Sequence, residues 1–594
     1  IIPTFQRDYE WTREDQWELL ADDLEAVAER LRVERHHAEL AGKPAAKADE
    51  SVSPHFLGAI VLDRLTPLTA GGLDLRSVID GQQRLTTLQL LIRALLDVAI
   101  EHDSPKVRQL RRLLRNPDDV VDSDEEIHKL WPRRRDRTVW VDAMVDEPAG
   151  TPGSHRYLAA RDYFAGRVRA AVADADDGDA ALALVIDAAL DMFRIVVIDL
   201  DDNDDAQVIF EVLNGRQTPL SSADLVKNLL FLRAEQQGVP DIEKLYADHW
   251  EQFDDEWWKT KVGRGHAARQ HTNVMLSAWL TAASGEAAHP DRLYGQVRRY
   301  VTAQGVTVPE ILTEISAYAS HYKAYQGAPR ESDERVAVAY DRMRVLGANT
   351  ALPLVLWLRE SWKSGGLTGD EFRDSIVAIE SYLVRRVAVG SNTRAYNQTF
   401  RDVLTEVAGD ASSAPTVSAV LGALDGSASW PTDDDVLAAF EERKFYDNVA
   451  GYVIKLLLGG IEEQMRADSK HTEKVSINYD DLTIEHILPR DWQKHWPLEG
   501  EGADLVVAEQ RRTRYCHRIG NLTLLNGSLN SKQSNHPWPK KRPELAAFSL
   551  LRLNADLVNN PLWDEWDEDA IKARASHLAD VAIKVWPRPA AGEE

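Results

Sequence analysis

The sequence predicts an α+β fold that is mostly α. Three observations carry this. Short apolar, β-branched runs occur at 55–65, 73–79 and 193–200. Helical apolar spacing dominates the segment 236–429. A compact polar stretch near the carboxy end holds two further strand-like runs, one closing on Pro489 and one following Gly520.

The first third reads as mixed α/β. The runs 55–65 and 73–79 suggest two strands around a turn-prone 66–72, and 193–200 suggests a buried strand. Between them Leu85, Leu88, Leu91, Ile92, Leu95, Leu96 and Ala99 repeat at helical spacing. The stretches 34–52 and 174–179 read as loops, and 106–137, with its mixed charge clusters, as a mobile segment. In the middle, helical patterns cover 274–283, 309–325, 335–346, 352–362 and 372–388, punctuated by Gly and Pro. The Ser-, Ala-, Gly- and Pro-rich stretch 409–431 reads as a linker. The expected domains are 1–235, 236–430 and 431–594.

The chain has 594 residues, 96 acidic and 70 basic side chains and a formal charge of −26, with 44% hydrophobic residues. That composition excludes a disordered chain. The one cysteine, Cys516, excludes a disulfide scaffold and is expected to rule out a cysteine-based zinc site. No run approaches the roughly 20 apolar residues of a membrane span. The chain starts at Ile1 rather than Met, so native residues are expected before it. Residues 11–20 are too polar for a signal core, and the expected location is the cytoplasm. The acidic balance argues against a nonspecific DNA coat. Locally the sign inverts. Residues 510–542 carry Arg511, Arg512, Arg514, Arg518, Lys532, Lys540, Lys541 and Arg542 with no acid. That suggests a polyanionic partner, with a solvated basic face as the alternative.

Within that region, Glu485 and His486 precede Pro489, Asn521 follows Gly520, and Asn530 and Lys532 lie where a short helix could begin. Phosphodiester hydrolysis needs a base for water and a cation to stabilise charge on the phosphate and the leaving oxygen. On an extended segment Glu485 and His486 point to opposite faces, so only a bend at the strand end lets both serve one site. Cys516 reads as a small buried hydrophobe, and His517 as a structural imidazole or a DNA contact.

A second motif, Asp80, Gly81, Gln82, Gln83 and Arg84, joins a strand to a helix. A helix N-terminus offers N–H groups to an anion, Gly81 permits close approach, and Arg84 adds a fork for phosphate. The plain alternative is a helix start capped by Asp80. Upstream, Phe5, Gln6, Arg7, Tyr9 and Trp11 combine aromatic, amide and cationic groups. Such a set could contact phosphate or bases beside an apolar wall, or simply pack the amino-terminal element. Downstream, Asn214, Arg216 and Lys227 could complete an anion site, with Ser221 or Ser222 as a helix cap.

The ordered carboxy-terminal motifs (EHILP, GNLTLL, LNSKQSN) resemble the HNH endonuclease superfamily and its ββα-metal fold, specifically the C-terminal domain of GmrSD-type modification-dependent restriction enzymes. The amino-terminal motifs resemble that family's DGQQR domain, a ParB-like nucleotidase fold. The resemblance implies His486 as general base, Asn521 positioning it by a side-chain hydrogen bond, and Glu485 and Asn530 holding a divalent metal, usually Mg²⁺. It implies Arg518 and Lys532 on phosphate, and Asp80, Gly81, Gln82, Gln83 and Arg84 on a nucleoside triphosphate, with GTP favoured. No Walker-type phosphate loop is present. The expected function is an anti-phage endonuclease coupled to NTP hydrolysis and to sensing of modified DNA. Phosphorothioate is the favoured mark, read by Phe5, Gln6 and Arg7. The alternatives are a type IV enzyme cutting DNA with glucosylated hydroxymethylcytosine, and a reader with an inert nuclease domain. Expected partners are target and effector DNA and the nucleotide, with no membrane; a homodimer is left open.

Overall fold

The computed structural model describes residues 1–3, 6, 8–64, 73–121, 126–200, 221–263, 268–409, 415–469, 477–498, 502–527 and 536–589. The chain forms an α+β, mostly helical protein with a few small sheets. It divides into two units, Ile1–Asp254 with Val301–Glu310, and Asp255–Tyr300 with Ile311–Glu594.

In the first unit, β1 (His55–Arg64) is the central strand of three. It pairs antiparallel with β2 (Arg76–Asp80) and parallel with β3 (Phe193–Asp199). All three strands match runs visible in the sequence. Their burial differs from expectation at β3, where Val196 and Val197 are half exposed. Among the described residues β3 has a neighbour in this sheet on one side only, which leaves it an edge strand there rather than a buried one. The β1–β3 register is irregular between Phe56 and Ala59, where Gly58 has φ +100°.

The helix Gln82–Glu101 follows β2 directly. Leu91, Leu95 and Val98 fall on one face, as their three- and four-residue spacing requires, and all are buried. That face packs against the helix Arg156–Ala173. Two segments expected to be irregular hold helix among their described residues. The helix Glu18–Leu40 continues into the anticipated loop as far as Leu40, and Arg35 ties it to Asp49 and Asp187 at 2.7 and 2.8 Å. In 106–137 the helix Val107–Leu114 buries Leu110 and Leu114, an i,i+4 pair hidden among arginines.

The second unit contains the two-residue strands β4 (Lys261–Val262) and β5 (Arg269–Gln270), the helices His271–Ser284, Glu334–Leu346, Leu352–Lys363 and Gly369–Val389, and the helix Val308–Tyr325 from Ile311 onward, close to the expected spans. Thr368 and Glu371 form a reciprocal capping box on the last of these. The expected linker is instead packed: Val417–Ala423 is a helix, and the Trp430 side chain is buried edge-on against Tyr382. Composition alone misses this because Val417, Val420, Leu421 and Trp430, spaced among small residues, are buried.

The carboxy-terminal part is built on the antiparallel hairpin β6 (Leu482–His486) and β7 (Leu522–Asn526), in the register Glu485↔Thr523 and His486↔Leu522. The helix Glu568–Val585 crosses the turn that precedes β7. Fully buried Arg574 of that helix donates to Gly520 O and Leu522 O at 2.6 and 2.8 Å. The approach is so close that a Cβ on Gly520 would stand 2.1 Å from Ile571 O. Backbone cannot swing aside as a side chain can, so Gly520→Ala is expected to destabilise the chain by about 3 kcal/mol. An unchanged midpoint in denaturant-induced unfolding would contradict this packing.

Candidate active site

β6 ends at His486, and strand alternation separates its last two side chains. Glu485 turns to the helix Trp538–Phe548, where its Oε1 accepts from Lys541 Nζ at 2.6 Å. The same ammonium donates to His486 O at 2.8 Å. Burial pushes the Glu485 carboxyl up and the Lys541 ammonium down, and their mutual attraction opposes both shifts.

His486 turns the other way. Its ring packs edge-on against Tyr446 at 4.4 Å and His517 at 5.4 Å between centroids. It is 7% exposed, and its Nε2 is buried without a hydrogen-bond partner. Burial, followed by the fields of His517, Arg490 and Lys541, pulls its pKa down to about 3. The ring is therefore neutral at physiological pH, with a free lone pair whose basicity burial weakens.

Asn521 is fully buried at the end of the turn before β7. Its Oδ1 accepts from Leu488 N at 2.8 Å and Trp566 Nε1 at 3.1 Å, and its Nδ2 donates to Leu488 O at 2.9 Å and Cys516 O at 2.8 Å. The expected bond from this amide to the His486 ring is thus replaced by bonds to the main chain just beyond it. Asn521 holds the strand end rather than the imidazole.

That clamp brings together a group the sequence reading left out. A ring nitrogen of His486, a ring nitrogen of His517 and Cys516 Sγ lie within 4.8 Å of one another. Cys516 is buried, and burial pushes its thiol up to about 12. The adjacent Cys516–His517 pair was the available signal, discounted because a lone cysteine usually fills space.

Other expected residues have different settings. Arg518 is buried with its guanidinium 3.6 Å from the Tyr515 ring centre. Much of the basic run is neutralised internally: Arg511 pairs with Asp569, Arg512 with Glu568, and Arg542 with Asp564. Arg514 and Lys540 stay exposed. Asn530 and Lys532 lie outside the described residues.

In the first unit, Asp80 closes β2 opposite Val61, and Gly81 caps the following helix with φ +91°. Asp80 was the expected alternative cap; the cap position falls to Gly81, whose missing Cβ would meet Ile60 at 2.5 Å. Gln82 and Gln83 are buried. Gln83 accepts from Glu10 N and donates to Asp8 O, both at 2.7 Å, so it fastens the amino-terminal segment. Gln6 does the same from the other side, donating to Ile79 O at 3.1 Å. Tyr9 is likewise in the core, its hydroxyl 2.7 Å from Thr87 Oγ1. Arg84 is half-buried over Gly58 and donates to Ala59 O. It lines a cavity of about 250 Å³ with Trp11, His55, Phe56 and Leu88. Ser221 caps the helix Ser222–Gln236 as expected, and Lys227 is buried beside Asp224. Phe5, Arg7, Asn214 and Arg216 lie outside the described residues.

Residues 1–231 match the N-terminal domain of GmrSD restriction endonuclease, and residues 430–581 match the C-terminal domain of GmrSD restriction endonucleases. The chain belongs to the GmrSD family. A search of curated proteins finds no match. As a GmrSD restriction endonuclease it is a nuclease that acts on DNA. Among the described residues no helix is long and apolar enough to cross a membrane.

The GmrSD nuclease domain implies a divalent cation. Oxygen donors suit Mg²⁺, and of the two expected ligands Glu485 is the described one, its carboxylate shared with Lys541. The donors gathered at the His486 ring are nitrogen and sulfur instead.

Two outcomes follow. Asn521→Ala strands four buried main-chain and indole partners, and a loss of about 3 kcal/mol is expected in denaturant-induced unfolding. His486 titrates near 3 when folded and near 6.5 when unfolded. Between these values the unfolded chain binds the extra proton, so keeping the ring buried and neutral costs stability that grows as pH falls. Relative to His486→Phe, the wild type should lose on the order of 3 kcal/mol between about pH 7 and pH 4. Parallel stability curves for the two proteins would refute the assignment.

Proposed function

We propose that the chain is a modification-dependent DNA endonuclease of antiviral defence, in which the β6–β7 hairpin carries hydrolysis. The observation that supports this most is the neutral His486 ring, with an unpartnered Nε2, on a strand end clamped by Asn521. His486 takes a proton from water, the water oxygen attacks phosphorus, and the bond to the 3′ oxygen breaks. Arg518 and Lys532 hold the phosphate. Glu485 and Asn530 are the residues the family offers to Mg²⁺, which when bound would offset charge on the phosphate and the leaving oxygen; Glu485 turns away from the His486 ring to Lys541, so serving the same site would require it to leave that partner.

The front domain binds and hydrolyses a nucleoside triphosphate, with GTP favoured, at the loop Asp80–Arg84. The N-terminus of the helix Gln82–Glu101 favours an anion, and the Arg84 cavity, lined by Trp11, Phe56 and Leu57 but also by Asp15 and Asp23, suits the nucleotide's base rather than its phosphates. Gln82 and Gln83 maintain that loop more than they touch the ligand. Phosphorothioate DNA is the proposed effector, read by Phe5 and Arg7, while Gln6 anchors their segment to β2.

Plasmid cleavage and GTP hydrolysis should be measured with unmodified, phosphorothioated and glucosylated DNA. Stimulation by phosphorothioate DNA alone supports the proposed mark, and stimulation by glucosylated DNA alone replaces it. His486→Ala should lower cleavage about 100-fold or more, and Arg84→Ala should abolish hydrolysis and its coupling to the mark. Cleavage at the wild-type rate by His486→Ala would exclude this base. No cleavage by the wild type would favour a reader with an inert nuclease part.

A further inference from the structure

The soft donors beside His486 are not explained by hydrolysis. Cys516 Sγ and one ring nitrogen each of His486 and His517 converge within 4.8 Å. His486, more than nine-tenths buried, has no hydrogen-bond partner on Nε2. His517 is arranged as a ligand would be. Its Nε2 lies 3.8 Å from Asp447 Oδ2, and its buried Nδ1 has no partner. At 3.8 Å the carboxylate attracts this edge of the imidazole without a hydrogen bond, and the other nitrogen is left for a metal. Nitrogen and thiolate donors select zinc-like ions over Mg²⁺.

We propose that His486, Cys516 and His517 form a second metal site, for a borderline-soft divalent ion of the zinc class, and that filling it stops DNA cleavage. The inhibitory half rests on His486 being the base, because a ring nitrogen bound to the ion cannot take a proton from water. Tetrahedral zinc with bonds of about 2.0 to 2.3 Å places its ligand atoms about 3.5 Å apart, so the three side chains close by about 1 Å on binding. The half-buried His517 offers the path in. Cys516 binds as thiolate and releases its proton to solvent. The fourth position is left for water.

Cys516 is the single cysteine of the chain, so any thiolate-to-metal absorption reports this residue alone. The full chain is titrated with Co²⁺ in excess Mg²⁺, followed by the thiolate-to-cobalt charge-transfer band, and Zn²⁺ is then added. The expected result is one equivalent of tetrahedral Co²⁺, displaced by Zn²⁺, with the band absent in Cys516→Ser and Cys516→Ala. Asp447→Asn should weaken Co²⁺ binding about tenfold or more while keeping the band. Absence of a thiolate band in the wild type overturns the site. Cleavage is read with and without Zn²⁺, each protein against itself. Zn²⁺ should inhibit the wild type and spare the Cys516 variants, and equal inhibition of both overturns the regulatory half. The two readings separate cleanly. A cysteine-dependent band together with full cleavage by His486→Ala keeps the site and removes the base. No band together with an inactive His486→Ala does the reverse.

Discussion

The carboxamide of Asn521 is the constraint on which the carboxy-terminal centre depends. A carboxamide offers two donors and two principal acceptor directions, and Asn521 uses all of them in a fully buried setting. Its bonds tie the chain after His486 to the chain at Cys516 and to the indole of Trp566. The positions of His486, Cys516 and His517 all follow from that tie. Removal of any one partner leaves buried polar groups exposed to no water, which is why the clamp holds so firmly.

The same device recurs in the first unit. Gln83 closes on the main chain of Asp8 and Glu10, and Gln6 on that of Val78 and Ile79. Motif amides that look catalytic in a sequence are here fasteners of extended backbone. Charged motif members behave differently: Arg84 crosses the Gly58 irregularity to reach Ala59 O, and a Cβ at Gly58 would meet its guanidinium at 2.9 Å. The glycine and the arginine are therefore one feature, and the arginine so held forms part of the cavity wall.

Much of the fold was legible because it is written in local periodicity. β1, β2, the helix Gln82–Glu101 and the helices of the middle follow apolar spacing directly. What was not legible depends on partners distant in the chain. The basic run read as a polyanion surface because Glu568, Asp569 and Asp564, which neutralise three of its arginines, lie beyond it. Glu485, His486 and Asn521 were singled out by motif, yet the Asn521 bond was assigned to the wrong partner, since sequence does not say which group a buried amide selects. Cys516 was passed over for the same reason: its neighbours at His486 become visible only once β6 and the turn before β7 are paired.

The central claim is that the imidazole of His486 is the proton acceptor in DNA cleavage. Chemical rescue tests it most directly, by single-turnover cleavage with His486→Gly in the absence and presence of added imidazole. The account predicts a cleavage-deficient variant whose rate rises with the concentration of neutral imidazole. Cleavage by the glycine variant at the wild-type rate without imidazole would contradict it.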